Sequence, residues 1–469
     1  NDLLAADKGG LVYTPIAGLH EHVAELDFTA MYPSIMVRFN ISPETVGAHC
    51  CQGKLVPELG SQVCTHRYGL VPETLAPLLE KRNRYKTLIR QLPDDDPRRE
   101  SYKRRYSAHK WLLVTCFGYL GYKNARFGRI EAYEAVTAYG REVLLRAKEM
   151  VEARGYRVLH IYVDGLWIYK PGARERPDYE KLLEDIREQT GLQIGLEGIY
   201  RWVAFLPSRV DPRSSVANRY FGAYQDGSLK VRGIEARRHD TAPYIKETQL
   251  EMLAILAEGR DAAGFRASVP AAIRYARQRL EALRAGSIPA RELVMRQRLA
   301  RHPHEFSVRT VAARVACELV RAGVKLIPGE KLRFLHVPGP EKARAWELLE
   351  GEVPYDRQVY TELLLRAVES VLAPVGVDHS MLATWLLGNA GYWGPPGTLP
   401  PPGVDGGQPL LAGCRLNRTR WPQPCTERNH PLLMPLLAGE GLRSLLSGTP
   451  ALLPAPAALL EQQDSTVDA

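Results

Sequence analysis

The sequence predicts an α+β fold, and three observations predict it. Apolar runs separated by turn residues read as antiparallel strands, most clearly in RVLHIYVDGLWIYK at 157–170. Two long charged helical patterns, Pro72 to Gln91 and about Glu100 to Leu120, flank the turn LPDDDP and read as a helical hairpin. From Thr241 to Ala322 the chain is mainly helical, with arginine-rich faces.

The elements follow in order. Residues 1–48 mix strand-like runs, Leu11-Val12-Tyr13 and Val23 to Phe28, with turn residues. Asp27 lies at the end of the second run, just before Tyr32-Pro33-Ser34. A following proline disfavours the helical region, so a turn is expected at Tyr32. A loop from His49 to His66 holds Cys50, Cys51 and Cys64. After the helical hairpin comes a helix from Glu131 to Arg154, then a β-hairpin. Asp164-Gly165 is expected at its tip, because Asp-Gly between apolar runs is a strong turn signal. Tyr179 to Gly191 reads as helix, and Tyr200 to Phe205, Arg219 to Tyr224 and Leu229 to Ile234 as further strands. GPPGTLPPPG at 394–403 marks a domain end, and the Pro/Gly/Leu-rich tail beyond it is expected to be mostly disordered. There is no internal repeat.

Composition narrows the class. A chain of 469 residues has room for roughly two to four domains. Hydrophobic content of 45% and charge of 25% are those of a globular protein. A net charge of +9 suits a polyanionic partner. Seven cysteines, an odd and sparse count, imply no disulfide framework. No apolar run approaches the ~20 residues of a membrane span, and there is no signal peptide. The chain opens on Asn1 within a strand-like region, so a preceding N-terminal portion is expected.

An isolated Asp-Gly is more often a surface turn than a site. A second strand-end carboxylate changes that balance. Asp27 and Asp164 can converge on hard divalent cations, which take carboxylate oxygens, waters and substrate phosphates. Two such ions about 3.5–4 Å apart clamp the attacking and leaving oxygens of phosphoryl transfer. Arg82 and Lys86 share one helix face, and Lys110, Val114 and Phe117 share another. Facing each other across the hairpin, Arg82, Lys86 and Lys110 make a basic clamp with Phe117 as a flat platform. Each pair alone reads as a solvated helix face.

Together these stretches resemble the family B DNA polymerases. DFTAMYPSI looks like their motif A. KWLLVTCFGYLGY resembles motif B, usually Lys-x-x-x-Asn-Ser-x-Tyr-Gly, and GYRVLHIYVDGL resembles the motif C region. GLVPETLAPLLEKRNRYK is similar to the first fingers helix, and ANRYFGAY to the Lys-Lys-Arg-Tyr motif. VRGIEARRHDTAP and the stretch from Ser287 to Leu332 look like the palm–thumb junction and thumb. The resemblance spans about residues 9–376, in the family's order. It implies a right hand with an antiparallel palm sheet, a helical fingers hairpin and a helical thumb. The implied division is palm 1–70, fingers 71–125, palm 126–240, thumb 241–385 and tail 386–469.

The resemblance also implies chemistry: nucleotidyl transfer from a dNTP to a primer 3′-hydroxyl, in accessory replication or repair. Asp27 and Asp164 hold two Mg²⁺ ions, with the Phe28 backbone as a further ligand and Mn²⁺ able to substitute. Arg82, Lys86, Lys110 and Phe117 bind the nucleotide, and Tyr32 is a steric gate against a 2′-hydroxyl. Arg219, Tyr220, Lys230, Arg237 and Arg238 grip primer-template DNA, helped by thumb arginines such as Arg296 and Arg298. A sliding clamp or other replication proteins are the expected partners, with no membrane, in a prokaryotic cytoplasm at the nucleoid. The alternative is a hand that has lost its chemistry and serves as a DNA-binding replication or repair factor.

Motifs B and C depart from the family, as in a divergent archaeal/bacterial paralogue group. Motif C usually reads Asp-Thr-Asp, and this chain has one aspartate there. If Asp164 is the second, Tyr162 replaces the first; if it is the first, Leu166 replaces the second. Gly155, Val158, Leu159, Asp164, Gly165 and Leu166 all fall on family letters in the former register, which is adopted. In it, Asp27 and Asp164 keep the bridging pair and an outer carboxylate is lost. Val114 and Phe117 replace asparagine and tyrosine in motif B, which implies a looser site. Zinc is not expected: adjacent Cys50 and Cys51 fit a tetrahedral centre poorly, and with Cys64, His49 and His66 the spacing matches no common finger. Cys414, Cys425 and His430 are no stronger.

Overall fold

The computed structural model describes residues 8–209, 211, 214–308 and 310–387. The expected tail lies outside these residues from 388 onward, as do Cys414, Cys425 and His430. The first half of the chain runs β1 (Val12–Tyr13), β2 (Gly18–Glu21), β3 (Ala24–Phe28), α1 (Met31–Arg38), β4 (Lys54–Leu55), β5 (Gln62–Val63), α2 (Leu70–Gln91) and α3 (Pro97–Leu120). There follow α4 (Ile130–Ala153), β6 (Arg157–Tyr162), β7 (Gly165–Tyr169), α5 (Pro177–Thr190), β8 (Ile194–Pro207), β9 (Ser215–Tyr224) and β10 (Leu229–Arg232). The C-terminal part holds α6 (Pro243–Ala257), α7 (Ala262–Ala285), β11 (Met295–Arg298), α8 (Val311–Arg321), β12 (Lys331–Leu335), β13 (Arg344–Ala345), α9 (Arg357–Leu372) and α10 (His379–Leu387).

The α+β expectation holds. An eight-stranded antiparallel sheet runs β1-β6-β7-β3-β8-β9-β10, with β2 also on β8. Alternation along β3 decides its faces. Ala24, Leu26 and Phe28 join the core formed with α1, α4 and α5. Successive strand residues point to opposite faces, so Glu25 and Asp27 lie on the other side. On β7, Leu166 and Ile168 share the core face, while Trp167 joins an aromatic cluster with Phe205 and Tyr220 on the opposite face. A second core packs β8 and β9 against α6, α7, α9 and α10.

The helical hairpin forms as α2 against α3. The N-terminus of α2 is tied down by three side chains. Gly69 N–H donates to Asn40 Oδ1 at 2.8 Å, Leu70 N–H to Glu44 Oε1 at 2.6 Å and Val71 N–H to Ser42 Oγ at 3.2 Å. These satisfy donors that the helix leaves unpaired. Asp96 caps α3 through the N–H of Arg98.

Two expectations need correction. Tyr32 is helical: the chain turns two residues earlier, at Ala30, which adopts left-handed φ 48° and ψ 52°. Pro33 falls in the first turn of α1, where its missing N–H costs no helical bond. The β-hairpin tip is Val163-Asp164 rather than Asp164-Gly165, because Gly165 already pairs with Tyr162 and with Asp27. Val163 takes φ 59°, a strained value for a β-branched residue. The stretch after Thr241 is mainly helical, as expected, and is interrupted by β11, which pairs with β12 and, through it, with β13.

Candidate active site

Asp27 stands at the centre of the sheet. Its neighbours across the strands are Gly165 on one side and Gly195 on the other. Neither carries a side chain, and a Cβ added at Gly195 would meet nothing within 4 Å. The space is open on the Gly195 side, a setting that fits hydrated cations, while the Trp167 ring lies 3.2 Å from a Cβ built at Gly165. The hairpin tip is pinned against Asp27: Phe28 N–H donates to the carbonyl of Asp164 at 2.9 Å, and Val163 N–H to that of Leu11 at 3.0 Å. Phe28 is thus left with its carbonyl as the group able to face an ion. Leu166 is fully buried on the helix side and does not share the face of Asp27. Tyr162, opposite Gly165, packs on the aromatic cluster.

Electrostatics mark the pair. Burial, then the charge of Asp164, then those of Glu197 and Glu25, push the Asp27 carboxyl up to about 7. Burial also raises Asp164, and Glu25 adds to it; its own N–H, Lys230 and Arg232 oppose the shift. Two half-buried carboxylates that repel each other are stabilised by a shared cation.

Glu25 is a different kind of acid. It is 4% exposed and fully engaged: Tyr200 and Tyr224 each donate a hydroxyl to Oε2 at 2.6 Å, and Lys230 pairs with Oε1 at 2.6 Å. This network holds a fixed cation behind the aspartates. Lys230 therefore sits in a buried ion pair, away from the exposed position expected of a DNA contact.

Of the residues expected to bind the nucleotide, Tyr32 and Phe117 meet at α1. The Phe117 ring lies 4.4 Å from that of Tyr32 and stacks on Tyr133 at 4.3 Å and 17°. A Cβ at Gly140 would approach Tyr32 Cε1 to 3.2 Å, and one at Gly10 would meet its hydroxyl at 2.8 Å, so two glycines seat the ring. The first-turn N–H groups of α1 have no intrahelical acceptor and favour anions. Pro33, in that first turn, has no N–H to add.

Arg82 lies 5.2 Å above the Tyr106 ring and donates to its hydroxyl at 3.2 Å. Its Nε and Nη1 are buried without an acceptor among the described residues. Unmatched guanidinium donors of this kind suit a phosphate. Lys86 is half-buried and Lys110 exposed, and neither has an ion-pair partner among the described residues.

The residues expected to hold DNA are dispersed. Arg219 is largely buried, donating to Ser370 Oγ at 2.7 Å and lying 3.7 Å from Glu235. Tyr220 is 4% exposed inside the aromatic cluster. Arg238 is exposed and forks onto Asp240 through bonds of 2.9 and 2.6 Å, and Arg237 is exposed. Sequence reasoning missed Glu197, Arg232 and Tyr133. It also missed a cationic ladder in which Arg296 faces Arg333 and Arg298 faces Lys331 across β11 and β12. Like charges directly opposite destabilise a sheet unless an anion covers them. Arg333 is partly covered by Glu347 at 2.7 Å.

A pH-dependent outcome follows. A carboxyl raised to about 7 in the fold makes its contribution to stability below its unfolded pKa, and loses it as pH rises through about 7. A divalent cation needs the ionised form. Mg²⁺ is therefore expected to raise Tm by a few degrees at pH 8 and hardly at pH 5.5, with the shift lost in Asp27→Asn. Equal shifts at both pH values in a thermal melt would contradict this.

Comparison with known proteins adds an independent line. The family model described as DNA polymerase family B matches residues 4–164. DNA polymerase 2 of Aeropyrum pernix is 30% identical over 336 residues, covering 71% of this chain and 40% of that protein. DNA polymerase 1 of Pyrococcus abyssi is 31% identical over 383 residues, covering 79% and 47%. The structure of the family B DNA polymerase from the hyperthermophilic archaeon Pyrobaculum calidifontis superposes with a TM-score of 0.55 at 26% identity, over 79% of this chain and 47% of that one. The chain thus spans less than half the length of these relatives.

Proposed function

We propose, for a chain that belongs to DNA polymerase family B, that it extends a primer on a DNA template by adding nucleotides from dNTPs to the 3′-hydroxyl. The observation that carries this reading is the meeting of Asp27 and the Asp164 hairpin at the sheet centre, with Tyr32 against Phe117 beside them. Palm, fingers and thumb are assigned to 1–70 with 126–240, 71–125 and 241–385.

Each part has a task. Asp27, Asp164 and the Phe28 carbonyl are the groups that would hold Mg²⁺ or Mn²⁺. Bound there, magnesium lowers the pKa of the primer hydroxyl and stabilises the pyrophosphate leaving group. By the resemblance, the backbone from Phe28 to Met31 would touch the triphosphate at the start of α1. Arg82, Lys86 and Lys110 place positive charge where negative charge develops on the leaving phosphates. Phe117 supplies an apolar surface for the nascent base pair.

Tyr32 excludes ribose. Its ring is wedged between Gly140 and Phe117 and cannot retreat from a 2′-hydroxyl without disturbing both. Overpacking of this sort costs about 1–3 kcal/mol. Tyr32→Ala is therefore expected to lower the preference for dNTP over NTP by roughly 10–100-fold. Unchanged discrimination in single-nucleotide incorporation would remove the gate from Tyr32.

Duplex grip is reassigned in part. Arg237, Arg238 and the ladder of Arg296, Arg298 and Lys331 are exposed, whereas Arg219, Tyr220 and Lys230 brace the palm behind the site. Phosphate contacts of this kind are independent of sequence and sensitive to salt. A place in accessory replication or repair, near the nucleoid and with a sliding clamp, extends the same reading. Among the described residues no helix is long and apolar enough to cross a membrane.

A second reading is a hand that binds DNA without chemistry. Tyr162, packed where an outer acid is usual, is the observation in its favour. Primer extension with Mg²⁺ or Mn²⁺ separates the two. Extension supports the polymerase, and binding without extension under either ion supports the second reading.

A further inference from the structure

We infer that Cys50, Cys51 and Cys64 form a thiolate site for zinc at the base of the fingers hairpin, separate from the aspartate pair. The sulfurs of Cys50 and Cys64 are 3.3 Å apart, those of Cys51 and Cys64 3.6 Å, and those of Cys50 and Cys51 4.0 Å. A zinc–sulfur bond is about 2.3 Å, so the edge of a tetrahedral thiolate centre is roughly 3.8 Å. The three separations fall within about half an ångström of that edge. Among the described residues these are the thiol, imidazole and carboxylate groups that converge in this way.

Adjacency in the sequence counted against such a centre. The backbone bends at residues 49–51 and brings both neighbouring sulfurs onto Cys64. Cys64 is buried and firmly placed: its N–H donates to the carbonyl of Thr45 at 2.8 Å, and its carbonyl accepts from Asn40 Nδ2 at 3.0 Å.

Backbone N–H groups of Arg67 and His66 also reach the Cys64 sulfur. Three thiols this close cannot all ionise without a cation between them. Zinc resolves the conflict: one Zn²⁺ joins three sulfurs and three protons leave to solvent. Cys50 is exposed, so a water completes the fourth position. Soft sulfur ligands also keep this site distinct from the oxygen site that takes magnesium.

The consequence is mechanical. The ion closes the loop over β4 and β5 onto Cys64. Asn40, which bonds the Cys64 carbonyl, also bonds the Arg67 carbonyl and the Gly69 N–H at the start of α2. That helix carries Arg82 and Lys86.

The test uses the whole chain, purified with a non-thiol reductant and no chelator. Elemental analysis is expected to find about one zinc per chain. Cobalt substitution is expected to give a thiolate-to-metal charge-transfer band with intense visible bands. The Cys50→Ser/Cys51→Ser double variant changes solvent-facing residues, so it folds, and its metal content and cobalt bands should fall at least about tenfold. A Cys414→Ser/Cys425→Ser variant should keep both. Absence of zinc and of cobalt bands in the unmodified chain overturns the proposal. So do bands that follow Cys414 and Cys425, or a Cys50–Cys64 disulfide that re-forms without metal uptake. Each readout is independent of polymerase activity.

Discussion

Asp27→Asn and Asp164→Asn are each expected to abolish primer extension, lowering the single-turnover rate by about a thousandfold or more, which is roughly 4 kcal/mol of barrier. Asparagine keeps the shape and removes the charge that holds a cation. It also removes the repulsion and burial that raise both carboxyls. The variants should therefore be at least as stable as the parent without metal, and should bind primer-template DNA equally well. Loss of activity with a Tm no lower than the parent's and unchanged DNA affinity is the signature. Leu166→Asp is the control: that side chain is fully buried in the helix-facing core, so the new acid should unfold the palm rather than add a ligand. Tyr162→Asp lies on the face of Asp27 and should raise activity or metal affinity.

Lys110→Ala is expected to lower kcat/KM for the incoming nucleotide by about a hundredfold to a thousandfold, the range for removing one group aimed at developing charge. Lys110 is exposed and unpaired among the described residues, so the fold should not notice the change. Pre-steady-state incorporation under saturating DNA measures it. The loss should appear in the nucleotide-dependent rate, with the affinity for DNA unchanged. A weakened grip on DNA with normal nucleotide kinetics would move Lys110 from the triphosphate to the duplex. Arg82→Ala is a less clean probe, because Arg82 also holds Tyr106.

What could be read from the sequence was local. The alternation of Ala24, Leu26 and Phe28 with Glu25 and Asp27 exposes one strand's two faces directly. The helix spacing of Arg82, Lys86, Lys110 and Phe117 is equally direct, and the order of the motifs supplied the hand. What could not be read depends on partners far along the chain. Lys230 looked like a free cation, yet its carboxylate lies 205 residues earlier. Arg219 looked exposed, yet Ser370 lies 151 residues later. Tyr220 is enclosed by Trp167 and Phe205 from two other strands. The turn signal of Asp164-Gly165 lost to tertiary pairing, since Gly165 lets a strand run beside Asp27 without a side chain in the way. Pro33 misled because a rule about the residue before proline was applied where the proline lies in the first turn of a helix. The β11–β12 ladder was hidden by arginines that also suit helices.

One measurement bears most directly on the aspartate pair. Crystals of the chain with primer-template DNA, a non-extendable primer terminus, a dNTP and Mn²⁺ can be read at the manganese absorption edge. Anomalous density is expected to touch carboxylate oxygens of both residue 27 and residue 164, next to the triphosphate. Manganese held by one of these residues alone, or lying elsewhere while nucleotide is bound, would contradict it.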